Sequence, residues 1–290
     1  MNVSIFLRLG RVSNLPTVWT DTLAGVALAG AWPPDGRLIP LLVAMTLAYT
    51  GGMFLNDLFD REIDARERPE RPIPSGAVAP GTVRAYGFGM LGAAVLLVAW
   101  CAFGGEGSGV RATLAALALV AAIVGYDLRH KGNPLGPLLM GLCRMLVYVT
   151  VGFALLPAPA PALFVGAVVL LAYLIGLTWT AKQENLGPIE SLWPLAPLAA
   201  PVVYGIVVAT TGNPLAWLPS VVLALWLLAM LRLVRRRAPG DMPRAVGGMI
   251  AGIALVDAIF LATVAGPLPT LLVGAAFALT LALQRRVPGT

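Results

Sequence analysis

Ten long apolar runs, separated by short breaks of proline, glycine or charged residues, constrain the fold of this chain more than any other feature. Each run approaches the roughly 20 residues that a helix needs to cross the hydrocarbon core of a bilayer. A chain that is 58% hydrophobic and only 12% charged can shield such runs from water only within a membrane. The runs lie at about 15–32, 38–56, 83–103, 110–126, 135–156, 162–180, 193–210, 215–233, 247–264 and 267–283.

This pattern predicts an all-α, polytopic transmembrane helical bundle of about nine to ten spans. The count is open because only residues 266–269 separate the last two runs, which form either two spans or one broken or re-entrant element. The connections between runs are short. We therefore expect residues 1–290 to form one integral membrane domain, without room for a separate soluble domain.

Basic residues concentrate in alternate loops, which indicates the orientation of the chain in the membrane. If the N-terminus is cytosolic, every basic cluster falls on the cytosolic side, and the opposite loops hold only Arg37 and Arg111. Both termini are then cytosolic, with the inner membrane as the location if the source is bacterial. The cytosolic clusters lie at 61–71 with Arg84, 129–131, 182, 232–237 with Arg244, and 285–286.

The formal net charge of +6 does not indicate a nucleic-acid partner. The sequence contains no basic stripe and no RNA- or DNA-binding motif, and its lysines and arginines lie between apolar runs. Membrane lipids are the expected surroundings of the chain. No feature of the sequence indicates an obligate protein partner.

The end of the second run carries the most distinctive polar pattern. Asn56, Asp57, Asp60 and Asp64 recur at helical spacings of three and four residues and so share one helix face. Like charges at this spacing repel one another, and carboxylates near a helix C-terminus also oppose its dipole. A positive group is therefore expected beside them.

Mg²⁺ suits this position, because it takes oxygen ligands and is usually held by one or two carboxylates plus substrate phosphates. The alternative is a solvated loop whose acids pair with neighbouring arginines. Acids at membrane depth are costly and usually functional, which favours a binding site for a diphosphate. The basic residues that could contact its phosphates from the same side are Arg66, Arg68, Arg71, Arg129, Lys131 and Lys182.

At this point the sequence resembles the UbiA-type intramembrane prenyltransferases. Residues 56–64 match the first aspartate-rich motif of that family, NDxxDxxxD, at every fixed position. Residues 71–76 read RPIPSG and resemble its RPxxSG element. Similarity continues at residues 11–14 before the first run and at Tyr126, Lys131 and Gly136 after the fourth, so it covers at least the first half of the chain.

The resemblance implies a helical bundle around a central cavity, in which a prenyl group moves from an allylic diphosphate to a lipophilic acceptor. It implies that Asp57, Asp60 and Asp64 bind Mg²⁺ and the diphosphate. Asn56 would assist them. The other implied contacts are Asn14 in the cavity lining, Arg71 and Lys131 at the phosphates, and Tyr126 beside the allylic cation.

The second half departs from the family pattern. After the sixth run the family has an acidic pair, DxxxD, whereas residues 178–187 read TWTAKQENLG and retain only Glu184 as an acid. Three outcomes are open: one metal ion is lost, Glu184 and Asn185 hold it more weakly, or Lys182 replaces the missing cation. The altered motif resembles a divergent UbiA-like branch found in ebo-type gene clusters, and it leaves the acceptor undefined.

A lone arginine, Arg144, lies within the fifth run, where an unpaired cation would be costly. It is expected to face the interior of the bundle. There it either pairs with an acid at membrane depth, such as Asp21 or Asp257, or reaches the substrate phosphate. Asp21 and Asp257 have no neighbouring ligands in sequence, so a structural role is expected for both.

The sequence therefore predicts a Mg²⁺-dependent prenyltransferase that acts on a prenyl diphosphate and a lipophilic acceptor. One alternative is an enzyme that acts on another lipid phosphate. A second is a non-catalytic carrier or transporter of isoprenoids or lipids, which the altered second motif, Arg144 and the glycine- and proline-rich spans would allow. Loss of turnover on replacement of Asp60 would exclude the carrier.

Overall fold

The computed structural model describes residues 2–129, 133–182, 193–287 and 289, and all regular structure in these ranges is helical. Short 3₁₀ segments precede three of the helices, at Val12–Asn14, Trp193–Ala199 and Pro214–Ala216. The α-helices are α1 (Val3–Leu9), α2 (Leu15–Ala29), α3 (Leu38–Glu67), α4 (Pro80–Phe103), α5 (Gly109–Arg129), α6 (Gly136–Leu155), α7 (Pro161–Lys182), α8 (Ala200–Thr211), α9 (Trp217–Arg236), α10 (Asp241–Val264) and α11 (Pro267–Gln284).

Within these ranges, nine helices are long and apolar enough to cross a membrane: α3 to α11, with α8 and α9 extended by their 3₁₀ segments. The chain is a multi-pass membrane protein, as expected. All ten apolar runs are helical, but α2 has only 15 residues and ends at Gly30, whose φ of 89° takes the backbone out of the helix. Of the ten runs, only the first, which forms α2, is too short to count as a full span. The last two runs are two separate helices.

α10 lies at the centre of the second half of the bundle. In the most apolar 18-residue stretch of α10, 89% of the residues are buried inside the protein, compared with 17% in the corresponding stretches of α5 and α11. It packs against α2, α7, α9 and α11. The apolar side chains of α5 and α11 that remain exposed, such as Leu114 and Leu271, are suited to contact lipid.

Two adjacent glycines set the position of α3, the helix that carries the aspartates. A Cβ atom at Gly51 would lie 2.8 Å from the Gly87 carbonyl oxygen of α4. A Cβ atom at Gly52 would lie 2.8 Å from a methyl carbon of Ile123 on α5. Only glycine allows both neighbours to approach so closely. The end of α5 is thereby placed beside the acidic end of α3.

Candidate active site

A cavity of about 370 Å³ lies between α2, α3, α5, α6, α7 and α10. At one end its walls are polar, with side chains from the end of α3 and the segment before α2. Further in, the walls are mainly apolar, with side chains such as Val18, Met45, Leu119, Leu174 and Ile253. The cavity therefore has room for a molecule with a polar head and a hydrocarbon tail.

At the polar end, two arginines bracket Asp57. Arg11 donates from Nη2 to Asn56 Oδ1 (2.9 Å) and to Asp57 Oδ1 (3.0 Å). Arg71 donates from Nη1 to the same Asp57 oxygen (3.2 Å) and to Asp64 Oδ2 (2.9 Å). We call Arg11, Asp57, Asp60, Asp64 and Arg71 the rim cluster.

The rim cluster is not a solvated loop. Asp57, Asp60 and Asp64 are each no more than 8% exposed. Repulsion between them is compensated by two guanidinium groups, as the like-charge argument requires. Burial acts to lower the pKa of Arg11, but the charge and hydrogen bond of Asp57, together with Tyr49 and Tyr126, outweigh it and hold that pKa above its ordinary value. The guanidinium groups of both arginines could bind a diphosphate in place of the carboxylates.

Asp127 on α5 is an acid of this site that sequence reasoning missed. It is buried, lines the cavity and accepts a hydrogen bond at Oδ1 from Asn56 Nδ2 (3.1 Å). A signal was present in the sequence, because Asp127 directly follows Tyr126 at the end of an apolar run. The sequence indicated Arg11 only as part of residues 11–14, which resemble the family. The structure shows that it also donates hydrogen bonds to Asn56 and Asp57.

Most of the sequence-predicted residues meet at this cavity. Asp57 lies just behind the lining, between the two arginines. Lys182 does not line the cavity, because it lies at the end of α7 and donates from Nζ to the Asn133 carbonyl oxygen. Lys131 and Glu184 lie outside the described residues. The predicted residues that line the polar end are Asn14, Asn56, Asp60, Asp64, Arg71 and Tyr126.

Asn14 connects the start of the chain to its end. Its Nδ2 donates to the Gly289 carbonyl oxygen (2.9 Å), and its Oδ1 accepts from Gln284 Nε2 (2.9 Å). Gln284 Nε2 also donates to the Gly247 carbonyl oxygen (3.2 Å). These bonds tie the second turn of α10 and the end of α11 to the start of α2, at the polar end of the cavity.

The rim cluster fits a metal ion that a substrate helps to hold. Among the described residues, no group of three or more His, Cys, Asp or Glu side chains is close enough to ligate a metal without help. Mg²⁺, however, usually takes only one or two protein carboxylates and completes its shell with phosphate oxygens and water. Asp60 and Asp64 lie one helical turn apart on the cavity wall and could supply these carboxylates.

A second group of ionisable residues lies deeper in the bundle. Arg144 donates from Nη1 to Asp21 Oδ2 (2.5 Å) and from Nη2 to Thr17 Oγ1 (3.1 Å). Asp257 accepts from Thr20 Oγ1 (2.5 Å) and from the Tyr148 hydroxyl, and its carboxyl group neighbours that of Asp21. We call Thr20, Asp21, Arg144, Tyr148 and Asp257 the deep cluster.

Arg144 of the deep cluster is both an ion-pair partner and a residue of the cavity lining. The guanidinium is paired with Asp21, as a structural role requires, but it also lines the cavity. It stacks over the ring of Tyr49, with 5.5 Å between Cζ and the ring centroid. Asp21 and Asp257 stabilise this arrangement but do not themselves line the cavity.

Comparison with known proteins identifies the family. A model described as the UbiA prenyltransferase family matches residues 18–185, more than half of the chain. This chain belongs to the UbiA prenyltransferase family. The digeranylgeranylglyceryl phosphate synthase of Methanopyrus kandleri is 31% identical to it over 209 residues, which cover 69% of each chain.

Solved structures show the same fold at low sequence identity. The apo structure of a UbiA homolog from Aeropyrum pernix K1 has a TM-score of 0.64 and 17% identity, and covers 87% of this chain and 96% of that one. A UbiA homolog from Archaeoglobus fulgidus, bound to GPP and Mg²⁺, has a TM-score of 0.51 and 16% identity, and covers 99% of this chain and 100% of that one. The expected family, helical membrane fold and prenyltransferase class are thus confirmed.

Proposed function

We propose that this prenyltransferase moves a prenyl group from an allylic prenyl diphosphate to a lipophilic acceptor, in a reaction that depends on Mg²⁺. One observation carries the proposal. Buried carboxylates and two arginines share the polar end of a cavity whose remaining walls are mainly apolar. A diphosphate at the rim cluster and a prenyl chain along the apolar walls would satisfy both regions.

The arginines of the rim cluster would hold the diphosphate. Arg71 makes two hydrogen bonds with one nitrogen, to Asp57 and Asp64, and Arg11 makes two to Asn56 and Asp57. Substrate oxygens could replace some of these carboxylate contacts at little cost, because charge-assisted hydrogen bonds would be exchanged for similar ones. Bound Mg²⁺ would offset the charge that develops on the leaving diphosphate.

The transfer itself breaks the bond between C1 of the prenyl group and the diphosphate oxygen attached to it, and the electron pair leaves with the diphosphate. The nucleophilic atom of the acceptor forms the new bond to C1 and loses its proton to water at the open polar end. Tyr126 lines this end and could stabilise the allylic cation with its ring. Apolar walls exclude water from the cation, which favours transfer over hydrolysis.

Location in the membrane follows from the substrates. Each buried CH₂ group of a prenyl chain stabilises the bound state by about 0.8 kcal/mol, whereas the diphosphate stays at the interface. We propose that the rim cluster and both termini face the cytosol, as the distribution of basic residues indicates. Lys131, Lys182 and Glu184 remain proposed phosphate or metal contacts at the same end.

The names of related proteins suggest substrates to test. A relative is named a digeranylgeranylglyceryl phosphate synthase, and a neighbour in structure binds GPP and Mg²⁺. Geranyl and geranylgeranyl diphosphates are therefore the first donors, and a geranylgeranylated glyceryl phosphate is the first acceptor.

The test measures Mg²⁺-dependent diphosphate release by purified protein from a panel of prenyl diphosphates, with a lipid extract as the source of acceptors. Wild type should release diphosphate and form a prenylated product, and Asp60→Ala should do neither. Glu62→Ala is the matched control, because Glu62 lies in the same segment with a side chain that is 76% exposed. Donor binding without release would favour the carrier, and no donor binding would contradict the proposal.

A further inference from the structure

The close contact between α3 and α5 brings a buried acid of α5 to the end of α3. Gly52 of α3 approaches Ile123 of α5. About one turn further along each helix, Asn56 Nδ2 donates to Asp127 Oδ1 (3.1 Å). The equal advance along both helices means that α3 and α5 run in the same direction at this contact. The pairing of Asn56 with Asp127 is therefore set by helix packing rather than by a loop.

The Asn56 amide bridges two charged groups of opposite sign. Its oxygen accepts from Arg11 Nη2 (2.9 Å), while its nitrogen donates to Asp127. If the amide were turned over, its N–H groups would face the guanidinium and its oxygen would face the carboxylate. Both partners therefore select the same orientation. Asn56 and Asp127 are both buried, so that loss of either hydrogen bond is costly.

Donor binding should leave Asp127 as the main support of this orientation, because Arg11 is proposed to turn towards the diphosphate. With Asp127 in place, the Asn56 oxygen still faces the polar end of the cavity. An amide oxygen and a phosphate oxygen are both acceptors, so a cation must lie between them. Without Asp127, the amide could turn and donate its N–H groups directly to the phosphate.

We propose that Asp127 is a positioning residue, which holds the Asn56 amide with its oxygen towards the diphosphate and so makes donor binding depend on Mg²⁺. This inference rests on the proposed donor site and adds to it a residue from outside the rim cluster. Asp127 acts through Asn56 rather than through its own charge. A neutral side chain that accepts the same hydrogen bond should therefore replace it.

The test measures the dissociation constant of geranylgeranyl S-thiolodiphosphate, a donor that cannot react, with and without Mg²⁺. Asp127→Leu removes the acceptor of the Asn56 hydrogen bond. We expect this variant to bind the analogue at least tenfold more weakly with Mg²⁺, but within threefold of wild type without it. Equal weakening in both conditions would indicate a general structural defect and overturn the proposal. If the leucine variant does not fold, Asp127→Ala takes its place.

The conservative variant separates positioning from direct use of the carboxylate. Asp127→Asn loses the charge but keeps an oxygen that can accept from Asn56. Its dissociation constants should stay within threefold of wild type in both conditions. A loss as large as that of Asp127→Leu would mean that the negative charge itself is required, and would contradict the positioning role.

A double-mutant cycle tests whether Asp127 acts through Asn56. Asn56→Ala removes the amide that Asp127 is proposed to hold. In that background, Asp127→Leu should change the dissociation constant with Mg²⁺ by less than twofold. Independent residues would instead show effects that multiply, since their free energies add. Multiplied effects overturn the proposal.

Asp241→Leu is the matched control, because Asp241 is also a buried acid but does not line the cavity. It should leave both dissociation constants unchanged. The two proposals fail differently in this experiment. If wild type binds the analogue and Asp127→Leu binds it equally well, only the role of Asp127 is overturned. If wild type does not bind it in either condition, the proposed donor site fails and the role of Asp127 fails with it.

Discussion

The rim cluster and the deep cluster are both built from buried aspartates and arginines, but they are held in different ways. The arginines of the rim cluster come from the segments flanking α2 and α3 and contact acids at the open end of the cavity. The deep cluster is bonded entirely between helices, with Arg144 of α6 paired to Asp21 of α2. We therefore expect that substrate can replace the partners at the rim, whereas the partners in the deep cluster stay fixed.

The largest effect is expected at the rim cluster. Asp57→Asn removes the charge that Arg11 and Arg71 share, and so disorders the two cations proposed to hold the diphosphate. We expect the rate of diphosphate release to fall about 10³-fold, the upper range for loss of one preorganised electrostatic group. The midpoint of thermal unfolding should change little. A rate within threefold of wild type would show that the rim cluster is structural, like the deep one.

In the deep cluster the same kind of change should act on stability. Arg144→Met leaves Asp21 and Asp257 buried without their cation, and the loss of one partner of a buried ion pair costs about 3 kcal/mol. Arg144→Met/Asp21→Leu should recover most of this loss. Unfolding in detergent with and without the second substitution measures the difference. If the double variant is no more stable than the single one, the pair does not act as a fixed unit.

The glycine contact that positions the rim cluster offers a smaller test. Gly51→Ala places a methyl group 2.8 Å from the Gly87 carbonyl oxygen, so that α4 must shift. The expected cost is about 2 kcal/mol in the free energy of unfolding, together with weaker donor binding. Gly92→Ala is the control, because a Cβ atom at Gly92 would have no neighbour within 4 Å. Equal unfolding midpoints for the two variants would refute the role of the close approach.

The smallest effect is expected from Arg71→Lys. Lysine keeps the charge and can still contact Asp57 and Asp64 through one nitrogen, but it lacks the second terminal nitrogen with which arginine binds a phosphate bidentately. The KM for the donor should rise about tenfold while kcat changes less. Initial rates over a range of donor concentrations separate these values. A larger fall in kcat than rise in KM would place Arg71 in the chemical step rather than in binding.

The sequence predicts the fold and the rim acids well because both depend on local patterns. Apolar runs near 20 residues long are helical wherever they occur, and acids spaced three and four apart must share a helix face. The end of α2 at Gly30 depends instead on a backbone conformation, a φ of 89°, which the length of the run does not reveal.

Contacts between helices were the part that the sequence could not supply. It offered Asp21 and Asp257 equally as partners of Arg144, and the structure selects Asp21. It gave no indication that Tyr148 would donate to Asp257 or that Asp127 would accept from Asn56. Such pairs join residues 71 or more positions apart in the chain. Only the packing of the helices, set in part by Gly51 and Gly52, brings them together.

The division between the two clusters is tested most directly by the affinity for a donor that cannot react. We would measure the dissociation constant of geranylgeranyl S-thiolodiphosphate with Mg²⁺ for wild type, Asp60→Ala and Arg144→Met/Asp21→Leu. We predict binding at least 100-fold weaker for Asp60→Ala and unchanged binding for the double variant. Equal weakening in both variants, or weakening in the double variant alone, would contradict the assignment of the diphosphate to the rim cluster.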